Sequence, residues 1–409
     1  MYPLVRVTLL ALLVTLASNA VAQDVSRAVE LEQRRQKKIS ESRPESRPLV
    51  EKTLLWMQEK KIQEKLETPG AGFKGIRPKF GGLSTGSGFA FGLQYDRVRM
   101  LDGQFDFSML GAASLIQYQL YQLKFDFPRL ANEKAFFSLT GRRRAMPRED
   151  YFGPGPNSVK DTRTSYLYED TTAEIRGGIR PIRWTHIGGG VDWVGINVGT
   201  GTDPRFPSTE QLFTEAIAPG VDQQTDFLKY NLSAAVDTRD SQGNPRRGGY
   251  YGVNHTIYDD RKLGRYSFQR TEMELQQYIP FSAGHRVIAA RFGVSLDDPK
   301  TGSRVPFYLQ KSLGGSNDLR GFREFRFRDL NQMIGNLEYR WEAWSGLDMA
   351  IFADAGKVFA DRKEFDFNNL ENSYGFGFRF NTAKNVFWRI DLARSREGTR
   401  AFLKFENVF

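Results

Sequence analysis

The sequence predicts an all-β fold: a sixteen-stranded antiparallel barrel that crosses a membrane with its strands, preceded by a short helical N-terminal segment. Three observations predict it. From Phe73 onward, apolar residues recur with period two. After Ala17 no apolar run approaches the ~20 residues that a spanning helix needs, which excludes a polytopic helical membrane protein. The chain also carries 32 Phe, 16 Tyr and 6 Trp beside 26% charged residues, a load that many short alternating strands accommodate. With no cysteine among 409 residues, a disulfide scaffold is excluded and stability must come from packing and backbone pairing.

Residues 1–6 carry one positive charge, 7–14 with Leu16 and Ala17 are apolar, and Ala20-Val21-Ala22 is a small-x-small cleavage site. They read as a signal peptide over 1–22, with an uncleaved helical anchor as the competing reading. Residues 23–71 form a second unit, rich in Glu, Gln, Lys and Arg. Leu49, Leu55, Trp56, Ile62 and Leu66 lie at spacings that suit a periplasmic helix.

The barrel is expected over 72–409. Tyr121, Leu123, Phe125 and Phe127 alternate with Gln122, Lys124 and Asp126; Tyr374, Phe376, Phe378 and Phe380 alternate with Gly375, Gly377 and Arg379; Val386, Trp388, Ile390 and Leu392 alternate with Phe387, Arg389 and Asp391. Each segment thus has one greasy face and one polar or small face, apolar toward lipid and polar toward a lumen. Fifteen segments are counted directly. Closure with both ends on the inner side demands an even number, so the sixteenth is placed in 73–83, with fourteen strands as the alternative. An exported β-sandwich is the competing fold, disfavoured because Arg, Asp and Glu recur opposite the aromatic face.

Short inner turns are expected at 128–133, 180–182, 240–247 and 279–284, and longer outer loops at 141–163, 197–225 and 296–331. Arg142, Arg143 and Arg144 then lie at the outer rim, where lipopolysaccharide phosphates are the available anions. The net charge of +10 is scattered along the chain, so nucleic acid is not expected as a partner. The three histidines, His186, His255 and His285, stand apart and no hydrolase, phosphate-loop or metal motif occurs, so neither an enzyme nor a cofactor is expected.

The run Gly314-Gly315-Ser316-Asn317-Asp318-Leu319-Arg320-Gly321-Phe322 resembles the hydrophobic-Arg-Gly-aromatic loop motif of the BamA/TamA outer-membrane insertase superfamily, also called the bacterial surface antigen family. Supporting it are Asn336-Leu337-Glu338, Phe352-Ala353-Asp354-Ala355-Gly356, the turn Asp237-Thr238-Arg239-Asp240 with Pro245-Arg246-Arg247-Gly248, and Phe152-Gly153-Pro154-Gly155-Pro156-Asn157-Ser158. The resemblance covers about 72–409. It implies an outer-membrane barrel that inserts or translocates proteins, with Leu319, Arg320, Gly321 and Phe322 pinning a loop inside. Glu338, Asp354 and Gly356 are the implied luminal partners.

Parity alone puts Glu338 opposite Leu337 and Tyr339, and Asp354 opposite Ala353 and Ala355, so both carboxylates face the lumen on adjacent strands. One guanidinium has donors enough for both. The N-terminal edge is rich in glycine (Gly75, Gly81, Gly82, Gly86, Gly88 and Gly92), which weakens pairing and suits a seam that opens sideways; ordinary closure is the competing reading.

The last strand, with Leu403, Phe405 and Phe409, is similar to the targeting signal of outer-membrane barrels, although Asn407 departs from it. This implies that the chain is itself a client of the barrel assembly machinery. The polypeptide-transport-associated modules of the larger insertases find no room in 23–71, so a short subclass is expected. Its partners would be outer-membrane lipids, lipopolysaccharide, nascent outer-membrane proteins and accessory periplasmic subunits. A gated pore without insertase activity is the alternative function.

Overall fold

A computed structural model describes residues 75–84, 87–282, 284–344, 346–381 and 386–404, the side chain of Phe387 apart. The predicted leader 1–22, the polar segment 23–71 with its helix, and Phe405, Asn407 and Phe409 of the terminal signal lie outside the described residues.

Alternating sequence becomes strand throughout. The strands are β1 (Ile76–Gly81), β2 (Ala90–Arg99), β3 (Phe105–Ser114), β4 (Gln119–Leu130), β5 (Ala135–Tyr151) and β6 (Thr164–Ile179). There follow β7 (Thr185–Thr200), β8 (Thr225–Asp237), β9 (Gly248–Asp260), β10 (Phe268–Phe281) and β11 (Arg286–Pro299). A short hairpin of β12 (Lys311–Leu313) and β13 (Phe327–Asp329) interrupts the wall, which resumes with β14 (Asn331–Trp344) and β15 (Leu347–Phe359). It ends with β16 (Glu371–Asn381), β17 (Val386–Ser395) and β18 (Gly398–Lys404). The wall is one 16-stranded sheet in chain order from β1 to β18, with the hairpin left out. All its pairings are antiparallel, and the sheet curls into a nearly closed barrel. The strand placed in 73–83 is β1.

Burial is inverted relative to a protein that folds in water. Leu93, Leu232 and Tyr374 are more than 60% exposed on the outer wall, whereas the largest fully buried side chains include Arg320, Arg326, Arg379 and Arg389. A bilayer solvates the first group, and charge pairing inside the lumen satisfies the second. A separate hydrophobic core that the alternation did not reveal lies at the outer end. Tyr151, Tyr166, Ile196, Phe227, Tyr266 and Phe307 cluster there with Ala218 and Val221 from the 201–224 loop. Below it a chamber of about 1120 Å³ descends past Tyr308, Tyr258 and Asn254 to Arg239 and Gln242 at the inner mouth.

The turn 238–247 reaches across that mouth. Arg246 donates to Asp348 Oδ2 on β15 at 2.6 Å and to the Gly284 carbonyl at 3.0 Å, and the Val386 N–H on β17 donates to Gly243. Gly248 is obligatory here: its φ is +91°, in the left-handed region, and a Cβ would strike the Thr238 carbonyl.

One expected loop is corrected. The stretch 141–163 is not wholly an outer loop, because β5, at 17 residues the longest strand among the described residues, runs on to Tyr151. Arg142, Arg143 and Arg144 therefore obey strand parity rather than sharing a rim. Arg142 and Arg144 turn into the lumen and both pair with Asp170, at 3.3 and 2.7 Å; Arg143 alone faces outward.

Candidate functional site

The loop 300–330 folds back into the barrel, and its tip meets the wall at β14 to β17. The glycines there make room. A Cβ on Gly321 would sit 2.5 Å from Ser395 Cβ and 2.7 Å from Ser373 Cβ, and one on Gly356 would sit 3.1 Å from Leu313 Cδ1. Leu313, Leu319, Phe322 and Phe327 form a small apolar knot with Ile334 and Val358, and Phe322 packs edge-on against Phe327 at 5.1 Å. Phe322 thus steadies the loop's own hairpin as well as touching the wall.

Arg320 is completely buried. Its Nε donates to Asp354 Oδ2 at 2.9 Å and its Nη2 to Asp354 Oδ1 at 2.6 Å, a two-pronged fork, while its backbone N–H reaches the same carboxylate at 3.2 Å. Nη1 donates to Glu338 Oε1. The Phe352 ring lies 3.4 Å from the guanidinium carbon and supplies a π face. Asn336 and Ser373 also donate to Asp354, at 2.8 and 3.2 Å, and Asn336 holds the Asp318 carbonyl at 2.7 Å. The structure thus brings together Arg320, Glu338 and Asp354, and places Gly321 and Gly356 at the two close approaches.

Sequence reasoning missed the rest of the cluster. Glu338 also accepts from Arg340 Nε at 2.7 Å and from Arg379 Nη2 at 3.0 Å; Arg379 donates to Asp391 at 2.6 Å. Arg389 donates to the Ser316 carbonyl at 2.7 Å and pairs with Asp391 at 3.1 Å. Four arginines thus converge on three carboxylates, all buried. Strand parity was the available signal: Arg379 lies between Phe378 and Phe380, and Arg389 and Asp391 flank Ile390, so all three face inward opposite the aromatic stripe.

A second clasp lies farther out. Arg326 donates to the Ser158 carbonyl and hydroxyl at 2.7 and 2.8 Å and to Glu397 at 2.6 Å; Arg323 reaches Asp150 at 2.6 Å, and the Gly155 N–H donates to the Arg328 carbonyl. The Phe152-to-Ser158 motif is therefore the outer seat of the same loop. Leu403 of the predicted terminal signal is on β18 and 58% exposed to the outside. Among the described residues no group of His, Asp and Glu is arranged to hold a metal ion.

The Gly321 contacts lead to a direct expectation. Gly321→Ala forces the tip away from Ser373 and Ser395, and the docked loop loses about 1–3 kcal/mol. Hydrogen exchange of the 313–322 amides checks it, the expected result being faster exchange there and unchanged exchange in β5–β8.

The arrangement can hold a loop inside a barrel. In overall fold the chain is similar to BamA from Haemophilus ducreyi lacking POTRA domains 1–3, with a TM-score of 0.58 at 13% identity over 85% of this chain and 76% of that one. It is also similar to CdiB from Escherichia coli, with a TM-score of 0.53 at 11% identity over 80% of this chain and 61% of that one. The chain therefore spans about three fifths of the latter's length. The Omp85 superfamily domain matches residues 81–399. With that match over most of its length, the chain belongs to the Omp85 superfamily of outer-membrane β-barrels.

Proposed function

We propose that this barrel assists the insertion or translocation of proteins at the outer membrane by opening between β1 and β18, while the loop 300–330 stays docked through Arg320. The observation that carries the reading is the contrast in the wall. The ladder begins in a six-residue β1, whereas β5 and β6 run 17 and 16 residues on the far side. Short edge strands separate at least cost and then offer unpaired backbone groups to an incoming strand. The lock lies on β14 to β17, beside this seam, so the lumen stays filled while the edge opens. In this reading the clients are nascent outer-membrane proteins, lipopolysaccharide surrounds the outer rim, and the polar segment 23–71 works on the periplasmic side with accessory subunits.

Because the chain has no native cysteine, one cysteine introduced in β1 and one in β18 form a clean staple. In proteoliposomes, the unmodified barrel is expected to accelerate folding of a small barrel client over empty liposomes. The stapled protein is expected to lose that acceleration and regain it on reduction. No acceleration by the unmodified protein, together with a large steady conductance in planar bilayers, would favour a pore instead.

A further inference from the structure

The outer wall of β2 to β6 carries an apolar groove. It runs between Phe91, Leu93 and Met109 on one side and Tyr121 and Leu123 on the other, and passes over Gly141. These large side chains are between 38% and 63% exposed. Gly141 faces outward with an ordinary φ, and a Cβ placed there would have nothing within 4 Å. Neither backbone geometry nor packing demands a glycine at that point, and glycine in a strand interior is a cost. The missing side chain leaves space on the lipid-facing surface.

Arg143 stands at one end of this space, two residues above Gly141 on the same face of β5, on the side of the long outer loop. Its side chain is 59% exposed. It donates to Thr171 Oγ1 at 3.1 Å, and Glu169 lies 3.7 Å away with its other oxygen taken by Asn197 at 2.7 Å. More than half of the Arg143 side chain is therefore open on the outer face of the wall. A cation above an apolar slot that descends toward the bilayer centre has the polarity of an outer-leaflet lipid, headgroup out and chain inward.

We infer that Arg143 and the groove over Gly141 form a binding site for an anionic, phosphate-headed lipid, the phosphate on Arg143 and one acyl chain along Leu93, Met109, Tyr121 and Leu123. This narrows the expected lipopolysaccharide contact to one of the three consecutive arginines and adds a seat for the chain.

The test uses the whole barrel in nanodiscs holding phosphatidylglycerol or phosphatidylcholine with a photoreactive acyl chain, cross-links being mapped by mass spectrometry. Phosphatidylglycerol is expected to label β2–β5 peptides about fivefold more than phosphatidylcholine does. Arg143→Gln should abolish that preference. Gly141→Leu, which has room to fold, should reduce labelling by both lipids at these peptides alone. Heat-modifiability on gels confirms that each variant is folded. Equal labelling by the two lipids, or labelling spread evenly around the wall and unchanged by both substitutions, would overturn the site and leave the groove to a protein partner.

Discussion

Arg320→Ala is expected to free the inner tip of the 300–330 loop without unfolding the barrel. The guanidinium bonds Glu338 and provides both prongs of the fork on Asp354. Removing one member of a buried charge pair costs ~3–5 kcal/mol, because its partners stay buried without compensation. For local opening that is at least about a hundredfold. The backbone amides of 316–322 at the tip are then expected to exchange faster by about that factor, as read by hydrogen exchange of the whole barrel. The outer clasp to Ser158, Glu397 and Asp150 is untouched, so the loop loosens from its tip. Arg320→Lys keeps the charge but cannot reproduce the planar fork, and should fall between the two. An exchange rate at 316–322 equal to that of the unmodified protein would mean that the outer clasp alone holds the loop.

Glu338→Gln should cost more, and should cost it in the wall. Glu338 accepts from Arg320, Arg340 and Arg379, so three guanidiniums share its charge. Removing Arg320 leaves three arginines and three carboxylates. Removing the Glu338 charge leaves four arginines facing Asp354 and Asp391, and the amide aims a donor where an acceptor is needed. We expect a loss at the upper end of, or beyond, ~3–5 kcal/mol in urea unfolding from lipid vesicles. In the Arg320→Ala background the same substitution should cost measurably less, since one of the stranded cations is gone. An additive pair would show that the two residues do not share a network.

Much of this was legible from the chain because a barrel wall writes its two faces in alternation. Even β1 was found, although its own pattern is poor, because closure requires an even count. The loop tip was legible for a different reason: Arg320-Gly321-Phe322 and the two carboxylates are a local motif, and parity turned Glu338 and Asp354 inward. What stayed hidden depends on contacts distant in sequence. Arg142-Arg143-Arg144 reads as a loop because three charges interrupt the apolar alternation. Only the strand's extension to Tyr151, with Asp170 across from it on β6, explains why two of them point inward. The outer core of Tyr151, Phe227 and Phe307 unites β5, β8 and the long loop, and no periodicity within one segment announces it. Arg379 and Arg389 were visible as alternating charges, but their convergence on Glu338 and Asp391 is a product of register among β14, β16 and β17.

The central claim is that Arg320 and Asp354 hold each other across the lumen, and a double-mutant cycle between them tests it most directly. Arg320→Ala, Asp354→Ala and the double variant are compared with the unmodified barrel by urea unfolding. A coupling of about 1.5 kcal/mol or more is predicted, the range measured for close charge pairs. Additivity within ~0.5 kcal/mol would contradict the claim.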